Sequence, residues 1–295
     1  MWKPVQLPYF CDAGDLPAPL PTQEQIKSST TFLGDHIAQK IVRVGEHFVV
    51  KYGFGTNEIE GHNLLFVEQN LRTVVPAPRL YAMYRDTDGT LFLIMEFLPG
   101  QSLDTLWPAF SDFEKTHITS KLKVIFDGMR SLSSPGFYGS VVGGCIPHHL
   151  FYTKPRDPNI SGPFGQESEV NNAIAAQLRR HATLNQTYSY KADFYERHLS
   201  HTLKDHPPVF THSDVYRKNI LIRKTSKHND EKCDYDLGLV DWGDAGWYPS
   251  YWEYAISFVH FHWDDEWPAR FEAFLQPYLA QAALVKMVYQ DIFFL

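Results

Sequence analysis

Two periods of hydrophobic and polar positions run along this chain, and the switch between them divides it. Lys40-Ile-Val-Arg-Val-Gly-Glu-His-Phe-Val-Val-Lys51 reads as two strands about a Gly45-Glu46 turn. From Asn57 to about Arg72 the apolar residues Ile59, Leu64, Val67 and Leu71 fall on one helical face. Val74-Val75-Pro76-Ala77-Pro78 ends that helix, because proline fixes φ and removes a donor. Arg79 to Arg85 and Thr90 to Phe97 read as two strands joined at Asp86-Thr-Asp-Gly89, whose Asp-Gly is a hairpin signal. Past Leu98-Pro99-Gly100 the period becomes helical. Asp112 to about Leu132 is one long helical pattern, and Glu169–Leu184 and Tyr190–Lys204 are two more. Residues 133–165 are rich in Gly, Pro and Ser and read as surface loop. Short strands are expected at Val209–Thr211, Asn219–Arg223 and Asp236–Val240, with a polar loop from Lys224 to Tyr235. The remainder is aromatic-rich and helical.

This pattern predicts an α+β chain in three parts. Residues 1–25 carry Pro4, Pro8, Pro17, Pro19 and Pro21 and read as an extended arm, draped on the body or disordered. Residues 26–97 form a small β-rich N-lobe with one helix. Residues 98–295 form a larger, mostly α-helical C-lobe. Two lobes about a hinge leave a cleft, the default place for a ligand. No internal repeat interrupts this order.

Composition narrows the function classes. The chain has 295 residues, 44% hydrophobic and 21% charged, with a formal net charge of −7. An acidic chain without a dense Lys/Arg block is a poor nucleic-acid binder, because phosphate neutralisation drives that affinity. Cys11, Cys145 and Cys233 stand far apart without a C-x-x-C pair, which excludes a zinc knuckle and gives no disulfide framework. The first residues, MWKPVQLPYF, lack the basic and apolar regions of a secretory signal. No run approaches the ~18 apolar residues of a membrane helix. A cytoplasmic, membrane-free protein is expected.

The chemistry lies in four places. Thr211-His-Ser-Asp214-Val-Tyr-Arg-Lys-Asn219 matches H-x-D-x-x-x-x-N and runs into an apolar strand. Phosphoryl transfer needs a carboxylate to orient and deprotonate the attacking hydroxyl, and a nearby amide oxygen to help hold Mg²⁺. Asp214 is the candidate base, Asn219 a candidate metal ligand, and His212 a prop for the loop. The bland alternative is a turn whose Asp and Asn bond the backbone. Leu237-Gly-Leu-Val-Asp241-Trp-Gly243 follows twenty-two residues beyond Asn219. It delivers a carboxylate at a strand end before a glycine turn, the place of the D-F-G aspartate that binds Mg²⁺. Asp241 is the second candidate metal ligand. Alone it would be an ordinary strand-end Asp.

Phe48-Val-Val-Lys51 ends a strand on a lysine suited to nucleotide phosphates. A strand-end lysine in solvent is the plain alternative. Glu60, on the following helix, is the candidate ion-pair partner of Lys51, with Glu58 and Glu68 as competitors. Asn57-Glu-Ile-Glu60 also reads as a capping box.

These residues carry a resemblance. FVVKYG, IMEFLPGQSL, FTHSDVYRKNIL and LVDWGDAGWYPSYWEY, in this order, resemble the aminoglycoside phosphotransferase/choline kinase family of the protein-kinase-like superfamily. The resemblance is strongest to the fungal aminoglycoside phosphotransferase-like proteins and runs from about residue 30 to 260. It implies a bilobal protein-kinase-like fold, ATP or GTP with Mg²⁺, and a small-molecule hydroxyl acceptor. It also implies adenine bound at Glu96, Phe97 and Leu98, and Glu253 bracing the catalytic loop where relatives often have aspartate. Two departures stand out. Ser213 replaces a usual glycine, and no G-x-G-x-x-G precedes Lys51. Phe32-Leu-Gly34-Asp35-His-Ile, with one glycine, is a shorter phosphate cover.

The expected function is transfer of a nucleotide γ-phosphate to a small-molecule hydroxyl. A catalytically silent kinase-like protein that binds nucleotide or a partner is the alternative. A protein kinase fits less well. Only twelve positions separate Asp241 from Glu253, and Ser213 removes the arginine of H-R-D. Asp244, Trp247, Tyr248, Tyr251, Trp252, Trp263, Asp264, Asp265 and Glu266 suggest an acidic, aromatic acceptor wall. Such a wall favours a cationic or amino-bearing alcohol, with a neutral sugar as the rival.

Overall fold

The computed structural model describes residues 2–36, 38–225 and 234–293. In chain order its first elements are β1 (Tyr9–Phe10), α1 (Gln23–Lys27), β2 (Phe32–His36), β3 (Gln39–Val44), β4 (Phe48–Gly53) and α2 (Glu58–Leu71). They are followed by β5 (Leu80–Arg85), β6 (Leu91–Glu96), β7 (Gln101–Ser102), α3 (Leu103–Leu106) and α4 (Asp112–Arg130). Then come α5 (Pro158–Ser161), α6 (Glu167–Leu184), α7 (Tyr190–Thr202), β8 (Pro208–Thr211), β9 (Ile220–Thr225) and β10 (Asp234–Leu239). The chain continues with β11 (Gly246–Pro249), α8 (Trp252–Val259), α9 (Trp267–Phe271) and α10 (Leu279–Phe293).

The chain forms two compact units. One comprises residues 2–103 and 220–243, the other 104–219 and 244–295. The division differs from the one read at residue 97. Antiparallel pairs Gln101↔Ile222 and Ser102↔Leu221 join β7 to β9, and β9 pairs along its length with β10. That ladder carries residues 220–243 into the unit of the N-terminal sheet.

The first unit is built on a six-stranded antiparallel sheet in the order β1-β5-β6-β4-β3-β2. Successive strand residues point to opposite faces, so each register row has one side. Val42, Val50 and Ile94 form one row, and all are buried with Phe48, Ala82 and Phe92. Ile41, Lys51 and Leu93 form the next row, on the other face. Met83 continues that row, and α2 packs there closely enough that a Cβ on Gly61 would meet the Met83 sulfur at 2.6 Å. Alternation thus sends the β4 lysine to the helix side of the sheet.

Residues 2–25 are draped on the body, the first of the two readings of this arm. Tyr9 and Phe10 pair with Met83 and Ala82, and the Cys11 amide donates to Tyr81 O. Thr22 and Gln25 form a capping box at the start of α1, and Ile26 is fully buried in the sheet core. Leu16, Ala18 and Leu20 pack on that core, while the intervening Pro17 and Pro19 are exposed. An extended segment with period two buries one side whether or not it can donate hydrogen bonds. The predicted loop from Lys224 to Tyr235 includes residues 226–233, which lie outside the described residues, as does Cys233.

The second unit is mostly helical. Its two-stranded ladder pairs β11 with β8, setting Trp247 opposite Phe210. Trp247, Tyr248, Tyr251 and Trp252 are all nearly or fully buried here, with Tyr248 stacked on Trp252 at 5.2 Å. Among the described residues no helix is long and apolar enough to cross a membrane.

Candidate active site

The first unit gathers three charged side chains. Lys51 Nζ lies 2.6 Å from Glu60 Oε1 and 2.7 Å from Asp241 Oδ1. Lys51 comes from the middle of the sheet, Glu60 from the first turn of α2, and Asp241 from the turn after β10. Glu58 instead pairs with Arg85 and Glu68 with Arg79. Asn57 caps the α2 N-terminus by accepting from Ile59 N, and Glu60 turns to Lys51 instead of closing a box. Burial alone would push the Lys51 ammonium down, but the Glu60 and Asp241 carboxylates outweigh it and hold the ammonium above its ordinary value. The Glu60 carboxyl is displaced upward by its own burial, which Lys51 offsets.

The turn at Asp241 is fastened from α2. Asn63 Nδ2 donates to Trp242 O at 2.7 Å, and the Trp242 indole N–H donates to Leu239 O at 2.9 Å. Asn63 stands one helical turn beyond Glu60, so one face of α2 holds both the lysine and the turn that bears Asp241. The sequence reading missed this anchor. Its only sequence signal was an asparagine three positions after Glu60, on the same helical face as Ile59 and Val67.

Of the three predicted hinge residues, two have committed amides. Glu96 N donates to Arg79 O and Phe97 N to His47 O. The Leu98 amide has no backbone partner among the described residues. The predicted phosphate cover forms the β2 edge, where Leu33 is about half exposed, and Ile37 lies outside the described residues. The following turn is gripped from behind the lysine strand. Gly55 N donates to Ala38 O at 2.8 Å. Gly53 has φ +132°, and a Cβ there would sit 2.4 Å from the same oxygen. Glycine is needed after Lys51 in this chain.

The second unit holds the other constellation. Asn219 Nδ2 donates to Asp214 Oδ2 at 2.7 Å and to Asp214 O at 2.9 Å. The Asp214 amide donates to His212 Nδ1, and His212 is 1% exposed, which makes it a loop prop. The Glu253 carboxylate accepts from His212 N at 2.7 Å and Ser213 N at 2.8 Å. These bonds fix the peptide units on both sides of His212, just ahead of Asp214.

Ser213 has φ +69°, the left-handed region that favours glycine. Its Oγ accepts the indole N–H of the fully buried Trp252 at 2.9 Å. Glycine would relieve about 1 kcal/mol of strain but strand that N–H, a loss of about 1–3 kcal/mol. Ser213→Gly is therefore expected to lower stability by about 1 kcal/mol. A raised thermal midpoint would show that backbone strain dominates.

Burial pushes the Glu253 carboxyl up to about 7, against the two amides that favour its charged form. A carboxyl displaced upward binds its proton more tightly in the native than in the unfolded state. Its stabilising contribution is present in acid and is lost as pH rises from about 4.5 to about 7. Glu253→Gln is expected to flatten that stretch of the stability curve. Denaturant midpoints across this range check it, and an unchanged slope would remove Glu253 from the account.

The predicted acceptor wall is not formed as expected. Trp247, Tyr248, Tyr251 and Trp252 are core side chains. Asp265 is paired with Arg217, which also meets Asp104, and Glu266 is paired with Lys115. Trp263 and Asp264 remain exposed and line a hollow beside the His212–Asn219 loop.

Residues 147–285 match the phosphotransferase enzyme family, APH. No curated protein sequence matches the chain. Among solved structures it is similar to the GDP complex of wild-type aminoglycoside 2'-phosphotransferase-IIIa, at 14% identity and TM-score 0.58, covering 88% of this chain and 83% of that one. It is also similar to ADP-bound aminoglycoside phosphotransferase APH(2'')-Ib, at 15% identity and TM-score 0.56, covering 89% and 85%. A third is a thermostable mutant of aminoglycoside phosphotransferase APH(4)-Ia in ternary complex with AMP-PNP and hygromycin B, at 15% identity and TM-score 0.56, covering 90% and 84%. The chain thus has the kinase-like bilobal fold, an N-terminal antiparallel sheet followed by a mostly helical part, and the segment that bears its His212–Asn219 loop matches the phosphotransferase enzyme family.

Proposed function

We propose that this protein transfers the γ-phosphate of ATP or GTP to a hydroxyl of a small molecule, with the cytosol as its setting. The observation that carries the reading is the contact of Lys51 with both Glu60 and Asp241, residues far apart in sequence. The similar solved structures that hold GDP, ADP and AMP-PNP support a nucleotide. Lys51, steadied by Glu60, would pair with the phosphates. The Leu98 amide, beside Glu96 and Phe97, would bind the adenine edge. Asp214 would accept the proton as the hydroxyl oxygen attacks the γ-phosphorus. The new O–P bond forms, the bond to the bridging oxygen breaks, and its electron pair leaves with ADP.

The donor set fits Mg²⁺, which takes oxygen ligands and keeps several waters. Asp241 offers a carboxylate that is 42% exposed. Asn219 spends its amide nitrogen on Asp214, so its amide oxygen is the atom that would ligate. When bound, the ion would neutralise charge on the phosphates. The thermal midpoint in ATP with Mg²⁺, against ATP or Mg²⁺ alone, tests the reading. The parent is expected to show a joint shift that Asp241→Ala loses. No joint shift in the parent would favour the rival, a kinase-like fold that binds a partner without nucleotide.

A further inference from the structure

Beside Asp214 the second unit has a hollow of about 240 Å³, lined by His148, His149, Tyr216, Lys218, Asp244 and His260 among others. A neighbouring hollow of about 360 Å³ shares Tyr216, Lys218 and His260 with it. His148 is the most buried of the six, at 2% exposure. Its ring stands edge-on to Trp252 at 5.2 Å and tilts over His149 at 4.2 Å. Its Nδ1 accepts the Leu150 amide at 3.2 Å. Burial holds the ring well below its ordinary pKa, so it is neutral. A neutral imidazole that accepts at Nδ1 carries its proton on Nε2. That Nε2–H has no hydrogen-bond partner among the described residues, and the side chain lines the hollow.

A metal reading of the cluster fails on the same bond. His148, His149 and Asp244 bring one donor atom each within 4.8 Å of one another. A ligating imidazole donates its other N–H to an acceptor. His148 Nδ1 accepts instead, so its remaining nitrogen is protonated and acts as a donor.

We propose that His148 is a specificity-determining donor whose Nε2–H binds an oxygen adjacent to the attacking hydroxyl, and that the acceptor is a neutral sugar or polyol at its reactive end. The assignment presupposes the phosphotransferase reading, with Asp214 as base. Asp214 takes a proton from one hydroxyl, His148 donates to a neighbouring oxygen, and Asp244 accepts from a further O–H. Adjacent alcohols serve all three, because each oxygen both donates and accepts. An ammonium has only donors. Placed there it would leave the Nε2–H without an acceptor and share the hollow with the Lys218 ammonium.

The test uses the whole protein with Mg-ATP and reads ADP release. D-glucose and myo-inositol are run beside their amino counterparts, D-glucosamine and 2-deoxystreptamine. Turnover of a neutral member is expected to exceed that of its amino partner by at least about tenfold in kcat/KM. His148→Phe is expected to raise the acceptor KM by about 10–100-fold and leave the nucleotide KM unchanged. His148→Gln, which keeps an N–H, is expected to lose less. If His148→Phe does not fold, the comparison of His148→Gln with the parent decides: equal preference for neutral over amino acceptors supports the donor role, and a reversed preference overturns it. A Mg-nucleotide thermal shift is measured on the same samples. Absence of that shift in the parent sinks the phosphotransferase reading itself. A normal shift with turnover of only the amino members, or of no neutral member, overturns the inference alone.

Discussion

Asp214→Asn is expected to slow turnover by about 10²–10⁴-fold, the usual worth of a general base. Nucleotide affinity and the fold are expected to survive. Asparagine is nearly isosteric, and its side-chain oxygen can still accept from Asn219 Nδ2. The second Asn219 bond goes to the Asp214 carbonyl and does not depend on the side chain. His212 and Glu253 hold the loop through backbone amides, which the substitution leaves in place. Single-turnover measurement at saturating Mg-ATP isolates the chemical step. A variant that turns over at the parent rate would show that another group takes the proton.

Lys51→Met is expected to remove nucleotide binding and to cost about 3–5 kcal/mol of stability, because it leaves a buried carboxylate without its cation. Glu60 is 4% exposed, and the cost is capped where it protonates. The reverse change is milder. Glu60→Gln leaves Lys51 with Asp241, which is partly exposed and needs less compensation. The double variant is expected to recover most of the stability lost in Lys51→Met, since no buried carboxylate remains at position 60. Denaturant midpoints of the two single variants and the double give the coupling directly. Binding separates function from stability, because Lys51→Met and the double variant should both fail to bind Mg-nucleotide. Additive midpoints would mean that the 2.6 Å contact carries no coupling.

The elements legible in the sequence were those with a period of their own. The strands at Gln39–Val44, Phe48–Gly53, Leu80–Arg85 and Leu91–Glu96 and the helix Glu58–Leu71 lie close to where alternation and helical spacing put them. The strands Tyr9–Phe10, Gln101–Ser102 and Gly246–Pro249 were not legible, because two to four residues carry no period and take their form from a partner. Leu16, Ala18 and Leu20 did alternate, but the prolines between them left a draped arm and a disordered one equally open. The site divided likewise. The spacing within His212–Asn219 and the strand before Asp241 showed which side chains to consider. Nothing in the sequence decided among Glu58, Glu60 and Glu68, since Arg85 and Arg79, which take the other two, lie beyond the helix. The aromatic run from Trp247 to Trp252 suggested a binding wall. Phe210 opposite Trp247, from a strand 37 positions earlier, makes that run core.

The composition of the first unit also sets a schedule for synthesis. Its sheet is encoded by residues 2–103, but its last hairpin comes from residues 220–243. Lys51 and Asp241 are 190 positions apart. At ordinary elongation rates the ribosome takes roughly 10–40 s to cover that interval. Over that time a nascent sheet can hold Lys51 against Glu60 but has no Asp241 to complete the group. Most of the helical unit is translated in between. The Lys51–Glu60–Asp241 cluster is therefore among the last parts of the molecule to be completed, and a chain halted before residue 241 carries its lysine without the second of its two carboxylates.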